Sequence, residues 1–212
     1  METQSINEEK RLVDNVDLER ENENNSVWLE KKSFRIAIVS RFSTVAIVLG
    51  YMLAPFPNIE LFTLTIFLSG FTLGRREGMI VGFLSSLIFC FYNPYGASPL
   101  PLFAFQLTHY TLTGLIGAFT NEFLRKRSFF AVDKDLYIFP VMLILGTLGA
   151  IITTNYQVFV SLVSVLYTGT IEEFLPYFIT GIPFTLIHII GNTLGFIFIL
   201  PGLIQIVHKM LD

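Results

Sequence analysis

Cysteine is nearly absent from this chain. Cys90 is the single one among 212 residues, so no disulfide framework is possible. It sits in an apolar run and reads as a small packed hydrophobe. Charge is scarce as well, at 15% of residues against about a quarter in soluble domains. The scarcity is uneven. Nine of the 17 acidic residues (Glu2, Glu8, Glu9, Asp14, Asp17, Glu19, Glu21, Glu23 and Glu30) fall in the first 30 positions, leaving an almost uncharged body. There is no basic stripe interleaved with aromatics, which argues against nucleic acid as a partner. No Gly-x-x-x-x-Gly-Lys loop, dinucleotide fingerprint or Ser-His-Asp pattern is present, so ATP hydrolysis by this chain is excluded and no cofactor is implied.

What is present is apolar. Hydrophobic residues make up 52% of the chain, and mean hydropathy is +0.61. That is the composition of an all-α membrane protein. Residues 1–32 are acidic and Asn-rich, without the apolar stretch of a signal peptide. They read as a disordered cytoplasmic tail, with room for a short surface helix around Trp28. Residues 33–212 read as one domain of six transmembrane helices, at 36–54, 58–75, 77–92, 102–124, 136–155 and 177–200. The second and third are short and meet at a tight polar turn, Gly74-Arg75-Arg76-Glu77-Gly78. A single helix over 136–167 would overrun a hydrocarbon core of about 30 Å. Thr153-Thr154-Asn155-Tyr156 is therefore taken as a break, and 156–176 as an outer loop with a short helix. A seventh span there is the alternative.

Six spans place both termini in the cytoplasm and all 14 Lys and Arg on the inner side. This obeys the positive-inside rule, and a seventh span would move Lys209 outside. The predicted location is the cell membrane, crossed several times. The outer side has no cation. Its turns carry Asn58 and Glu60, Asn93 and Tyr95, and Glu172 and Glu173.

Two helices carry polar residues at helical spacing. Gln106, Tyr110 and Thr113 recur in the fourth span, with His109 beside them. Thr185, His188 and Asn192 share one face of the sixth. Polar groups in lipid are costly and turn toward the bundle interior or a wet cavity. Matching depth on two helices points to one cavity that opens outward. The same residues can also serve as interhelical hydrogen-bond glue, and Gly114, Gly117, Gly146, Gly149, Gly191 and Gly195 as close-packing sites. Tyr and Phe in the cavity, with no outer cation, favour a neutral or cationic ligand over a phosphate or polycarboxylate.

Several strings, in order, resemble the substrate-binding (S) components of energy-coupling factor transporters. They are Ile59-Glu60-Leu61-Phe62-Thr63-Leu64, Gly70-Phe71-Thr72-Leu73-Gly74-Arg75-Arg76-Glu77-Gly78, Asn93-Pro94-Tyr95-Gly96, and Gly181-Ile182-Pro183-Phe184-Thr185-Leu186-Ile187-His188-Ile189-Ile190-Gly191-Asn192. The resemblance covers about residues 33–208. It implies high-affinity capture of a vitamin-like small molecule on the outer face by a chain that binds no ATP and is not an enzyme. It implies docking on a coupling transmembrane subunit that carries two ATPase subunits, within the lipid bilayer. It implies that Asn192 contacts the ligand. The family's Ala-x-x-x-Ala docking face is replaced by small residues at Ala37, Ser40, Thr44, Ala46 and Gly50, with Arg41 among them.

Two other readings use the same residues. Glu172-Glu173, Phe184-x-x-x-His188 and His188-x-x-x-Asn192 echo an intramembrane prenyl-endopeptidase, although no Arg stands where that pattern wants one. His109, His188 and a Glu suit a divalent metal by ligand type but lack ligand spacing. An accessory structural membrane protein is the third alternative.

Overall fold

The computed structural model describes residues 32–169 and 171–211. The expected acidic tail lies outside them, apart from Lys32. All regular structure among the described residues is helical. The elements are α1 (Lys32–Leu53), α2 (Phe62–Leu73), α3 (Arg75–Phe91), α4 (Leu100–Leu124) and α5 (Phe139–Thr168). A short 3-10 turn, Ile171–Glu173, leads into α6 (Phe174–Leu194), a wider π turn at Gly195–Ile199, and α7 (Leu200–Leu211). Contacts divide the chain into one unit of Met1–Ile38 with Asp212 and a second of Val39–Leu211. Among the described residues the first unit holds only the opening turns of α1, and the second holds the helix bundle.

Three stretches are long and apolar enough to cross a membrane: Lys32–Leu53, Phe139–Tyr167 and Ile171–Leu211. Large apolar side chains cover the outside of the helices, among them Phe83, Ile88, Leu143, Ile151, Phe184 and Phe198. Such a surface needs lipid or protein against it.

The short helix α2 is the core of the bundle. Of its 12 residues all but Thr72 are buried. A helix apolar on every side is stable only when surrounded. Leu64, Phe67 and Phe71 of α2 pack with Leu145 of α5, Phe196 of the π turn and Leu200 of α7. Backbones cross closely on the other side. A methyl group on Gly70 would collide with the carbonyl of Gly114, and one on Gly82 with that of Tyr110. Small residues admit this approach between helices. Gly191, expected to act the same way, has only the Asn58 carbonyl near it.

Two boundaries differ from expectation. The polar turn at 74–78 contracts to Gly74, whose φ of 98° is one a glycine adopts without strain. Arg75 through Gly78 already belong to α3. The break expected at Thr153–Tyr156 does not occur. Helix α5 runs unbroken for 30 residues, so the outer loop expected over 156–176 reduces to the turn after Thr168. The polar residues that suggested a break are accommodated inside the helix. Thr153 Oγ1, for one, donates to the Gly149 carbonyl one turn back, at 2.8 Å. At about 1.5 Å per residue the helix is about 45 Å long, more than the thickness of a hydrocarbon core of about 30 Å.

The turn at Gly74 and the loop 125–138 lie at one end of the unit. There Arg75 makes a two-pronged ion pair with Glu122, and Gln205 donates to the Lys134 carbonyl at 2.7 Å. The loops 54–61 and 92–99 lie at the other end, over a cavity.

Candidate functional site

Loop 54–61 descends from α1 and enters α2 through Glu60. One oxygen of Glu60, Oε2, accepts from the Thr63 N–H at 2.8 Å. A carboxylate here meets an orphan amide and the positive end of the helix dipole. Its other oxygen, Oε1, accepts from Asn192 Nδ2 at 2.8 Å. The Nε2 of His188 lies 3.4 Å from the same oxygen. Glu60 is thus held by α2 on one side and by α6 on the other.

Behind this pair a second layer fixes the partners. The amide of Asn192 has two hydrogens, and the second is donated to Thr153 Oγ1 at 2.9 Å. His188 Nδ1 lies 3.0 Å from Gln157 Nε2. The two ring nitrogens of His188 thus face Gln157 of α5 on one side and Glu60 on the other. Thr153 and Gln157 are four residues apart on one face of α5, the spacing that brings side chains together on a helix.

Glu60 and His188 open into a cavity of about 310 Å³. Aromatic rings make its sides. Phe62 lies tilted against Phe89 at 4.9 Å and meets Tyr110 edge-on at 4.8 Å. Tyr156 lies 5.7 Å from Tyr110 and 6.0 Å from the His188 ring. Two hydroxyls tie the loops over the top: Tyr95 donates to the Ala54 carbonyl at 2.6 Å, and Tyr51 to the Tyr92 carbonyl at 2.9 Å. Asn58 stands at φ 60°, a left-handed turn that Asn tolerates. The Asn93 side chain accepts from the Tyr95 N–H at 2.9 Å.

The expected site residues therefore separate into three groups. Asn58, Glu60, Asn93, Tyr95, Tyr110 and His188 line the cavity. Gln106 and Asn192 are not in its wall but bond to residues that are, Gln106 through Tyr156 Oη at 3.0 Å. Thr185 is half-buried on α6, and Glu172 is exposed on the 3-10 turn; neither lines the cavity. His109 is buried among the rings of Phe105, Tyr110 and Tyr156, with its Nε2 unpartnered.

Sequence reasoning missed Tyr156, Gln157 and Thr153, because that segment was taken as a break. The signal was there: a run of polar residues inside an apolar helix obeys the same rule that singled out Asn192.

The small-residue set on α1 also divides. Ala37, Ser40 and Thr44 are exposed. Ala46, by contrast, is fully buried, and Gly50 lies against the Phe89 ring and in the cavity wall. Helical spacing sends the two subsets to different faces, so only the first is open to a partner. Among the described residues no group of three His, Cys, Asp or Glu stands close enough to hold a metal ion.

Comparison with family models, with curated proteins and with solved structures gave no match.

Proposed function

We propose that this chain is the membrane-embedded binding subunit of an importer, which captures a vitamin-like small molecule in the cavity under loops 54–61 and 92–99. The observation that carries the proposal is the Glu60–His188–Asn192 cluster at the base of an aromatic cavity. An ionisable group kept inside an apolar bundle, with its partners prearranged, is a binding site by default. The cavity wall has one carboxylate and no Lys or Arg. It suits a planar neutral or cationic ligand, stacked on the rings and hydrogen-bonded at Glu60. A polyanion would meet repulsion there.

The orientation follows from the cations. Arg75, Arg76, Arg125, Lys126, Arg127 and Lys134 belong to the end away from the cavity. With that end in the cytoplasm, the mouth faces outward, and the helices cross six times with α6, the π turn and α7 forming the last span. The resemblance to energy-coupling factor S components fits this arrangement. In that reading the exposed Ser40 and Thr44 belong to the face that meets a coupling transmembrane subunit with its two ATPase subunits. The chain itself holds and releases its ligand unchanged.

The test is calorimetric titration of the purified protein with a panel of neutral, cationic and anionic vitamins. A neutral or cationic compound is expected to bind. Glu60→Ala should weaken it by about 10- to 100-fold, the loss of one hydrogen bond to a charged group. A panel in which only anions bind, or in which Glu60→Ala leaves the affinity unchanged, would sink the proposal.

A further inference from the structure

A second hollow, of about 550 Å³, lies between α4 and α5, toward the end away from the cavity. Its walls include Ile116, Phe119 and Phe123 of α4, and Leu143, Thr147 and Leu148 of α5. It opens sideways from the bundle, and Phe119, Phe123 and Leu143 are about half exposed. From Ile116 to Phe123 it follows α4 for about 10 Å, roughly a third of the hydrocarbon thickness.

Two of its aromatic walls carry guanidinium groups. Arg75 lies 4.6 Å from the centroid of Phe119, and Arg127 lies 4.3 Å from that of Phe123. The charge of Arg75 is matched by Glu122. Arg127 has no carboxylate partner among the described residues, and Arg125 and Lys126 precede it in the chain. An apolar groove thus ends in a cationic rim at the depth where a helix leaves the membrane.

We infer that this groove holds an acyl chain of an anionic phospholipid, with the headgroup phosphate on Arg127 and its neighbours. Charge complementarity selects the occupant. A zwitterionic lipid would fill the groove but gain little from the rim. An apolar partner helix would leave the Arg127 charge unmatched. Basic pockets between helices on the cytoplasmic side are a recurring means of headgroup recognition. The site needs only that the chain is in a membrane; it does not depend on what the outer cavity binds.

The experiment uses the delipidated full chain in neutral detergent. It compares phosphatidylglycerol, phosphatidylcholine with the same acyl chains, and inorganic phosphate, read by native mass spectrometry and thermal shift. Phosphatidylglycerol should be retained and should raise the melting temperature, and phosphate alone should do neither. Arg127→Gln should lower the preference for the anionic lipid about five-fold. Thr147→Trp, which fills the groove and leaves the rim intact, should reduce retention of both lipids. Equal retention of the two lipids by the wild type overturns the inference, as does a preference unchanged in Arg127→Gln. Retention unchanged in Thr147→Trp removes the groove from it, and an equal shift by free phosphate removes the lipid.

Discussion

Removing Asn192 should weaken both the fold and the site, although Asn192 does not line the cavity. Its amide spans two helices, donating to Glu60 Oε1 at 2.8 Å and to Thr153 Oγ1 at 2.9 Å, and it is only 3% exposed. Interhelical hydrogen bonds in membrane proteins average about 0.6 kcal/mol and reach about 1.7, because the unfolded helices find other partners in lipid. A charged acceptor roughly doubles a neutral bond. The bond to Glu60 is therefore placed at about 1.5 kcal/mol, about a tenfold effect on an equilibrium. The assay is a double-mutant cycle of Asn192→Ala and Glu60→Ala, read by reversible unfolding in mixed micelles. The cycle removes the separate contribution of Thr153, since that bond is lost from Asn192→Ala whether or not Glu60 is present. A coupling near about 1.5 kcal/mol is expected. A coupling below about 0.5 kcal/mol, within ordinary additivity, would refute the claim that Asn192 positions the carboxylate. The same variant should lose ligand affinity, because a released Glu60 no longer faces the cavity in one orientation.

Packing and topology give two more expected outcomes. Gly70→Ala forces α2 away from the Gly114 carbonyl and should cost about 1–3 kcal/mol or more, whereas Gly181→Ala meets nothing within 4 Å and should stay within about 0.5 kcal/mol; thermal unfolding of the pair checks both. A cysteine at exposed Ala97 should react with an impermeant thiol reagent applied from outside the cell, and one at exposed Asp133 only after permeabilisation, with native Cys90 silent at 1% exposure; labelling of both from outside would overturn the orientation.

Much of the site was legible on individual helices. His188 and Asn192 could be picked out because polar side chains four residues apart in an apolar helix have to be turned inward. Glu60 was placed with Asn58 in an outer turn, as one of the few carboxylates outside the acidic tail. Their meeting was not legible, since it joins residues 128 and 132 positions apart. The misplaced break in α5 shows the opposite failure. Local composition at 153–156 looked like a turn, but each polar group there can be satisfied by its own helix or by a neighbouring one, and Tyr156 and Gln157 became part of the site. The α1 set failed for a similar reason: small residues mark places where helices come close, but not whether the neighbour is the same chain or another.

The sequence by itself determined that this protein is helical and apolar, with stretches long enough to cross a membrane. That follows from residue type alone: long runs of apolar side chains with few charges have the length and composition of membrane spans. Only the tertiary structure decided that α5 is continuous, that α2 is the buried centre, and that Asn192 stands behind Glu60 rather than in the cavity. Those are matters of which surfaces meet. In a bundle where nearly every face is apolar, hydropathy gives little distinction between them. The choice is left to close backbone contact at glycines and to the few polar groups that have to find one another.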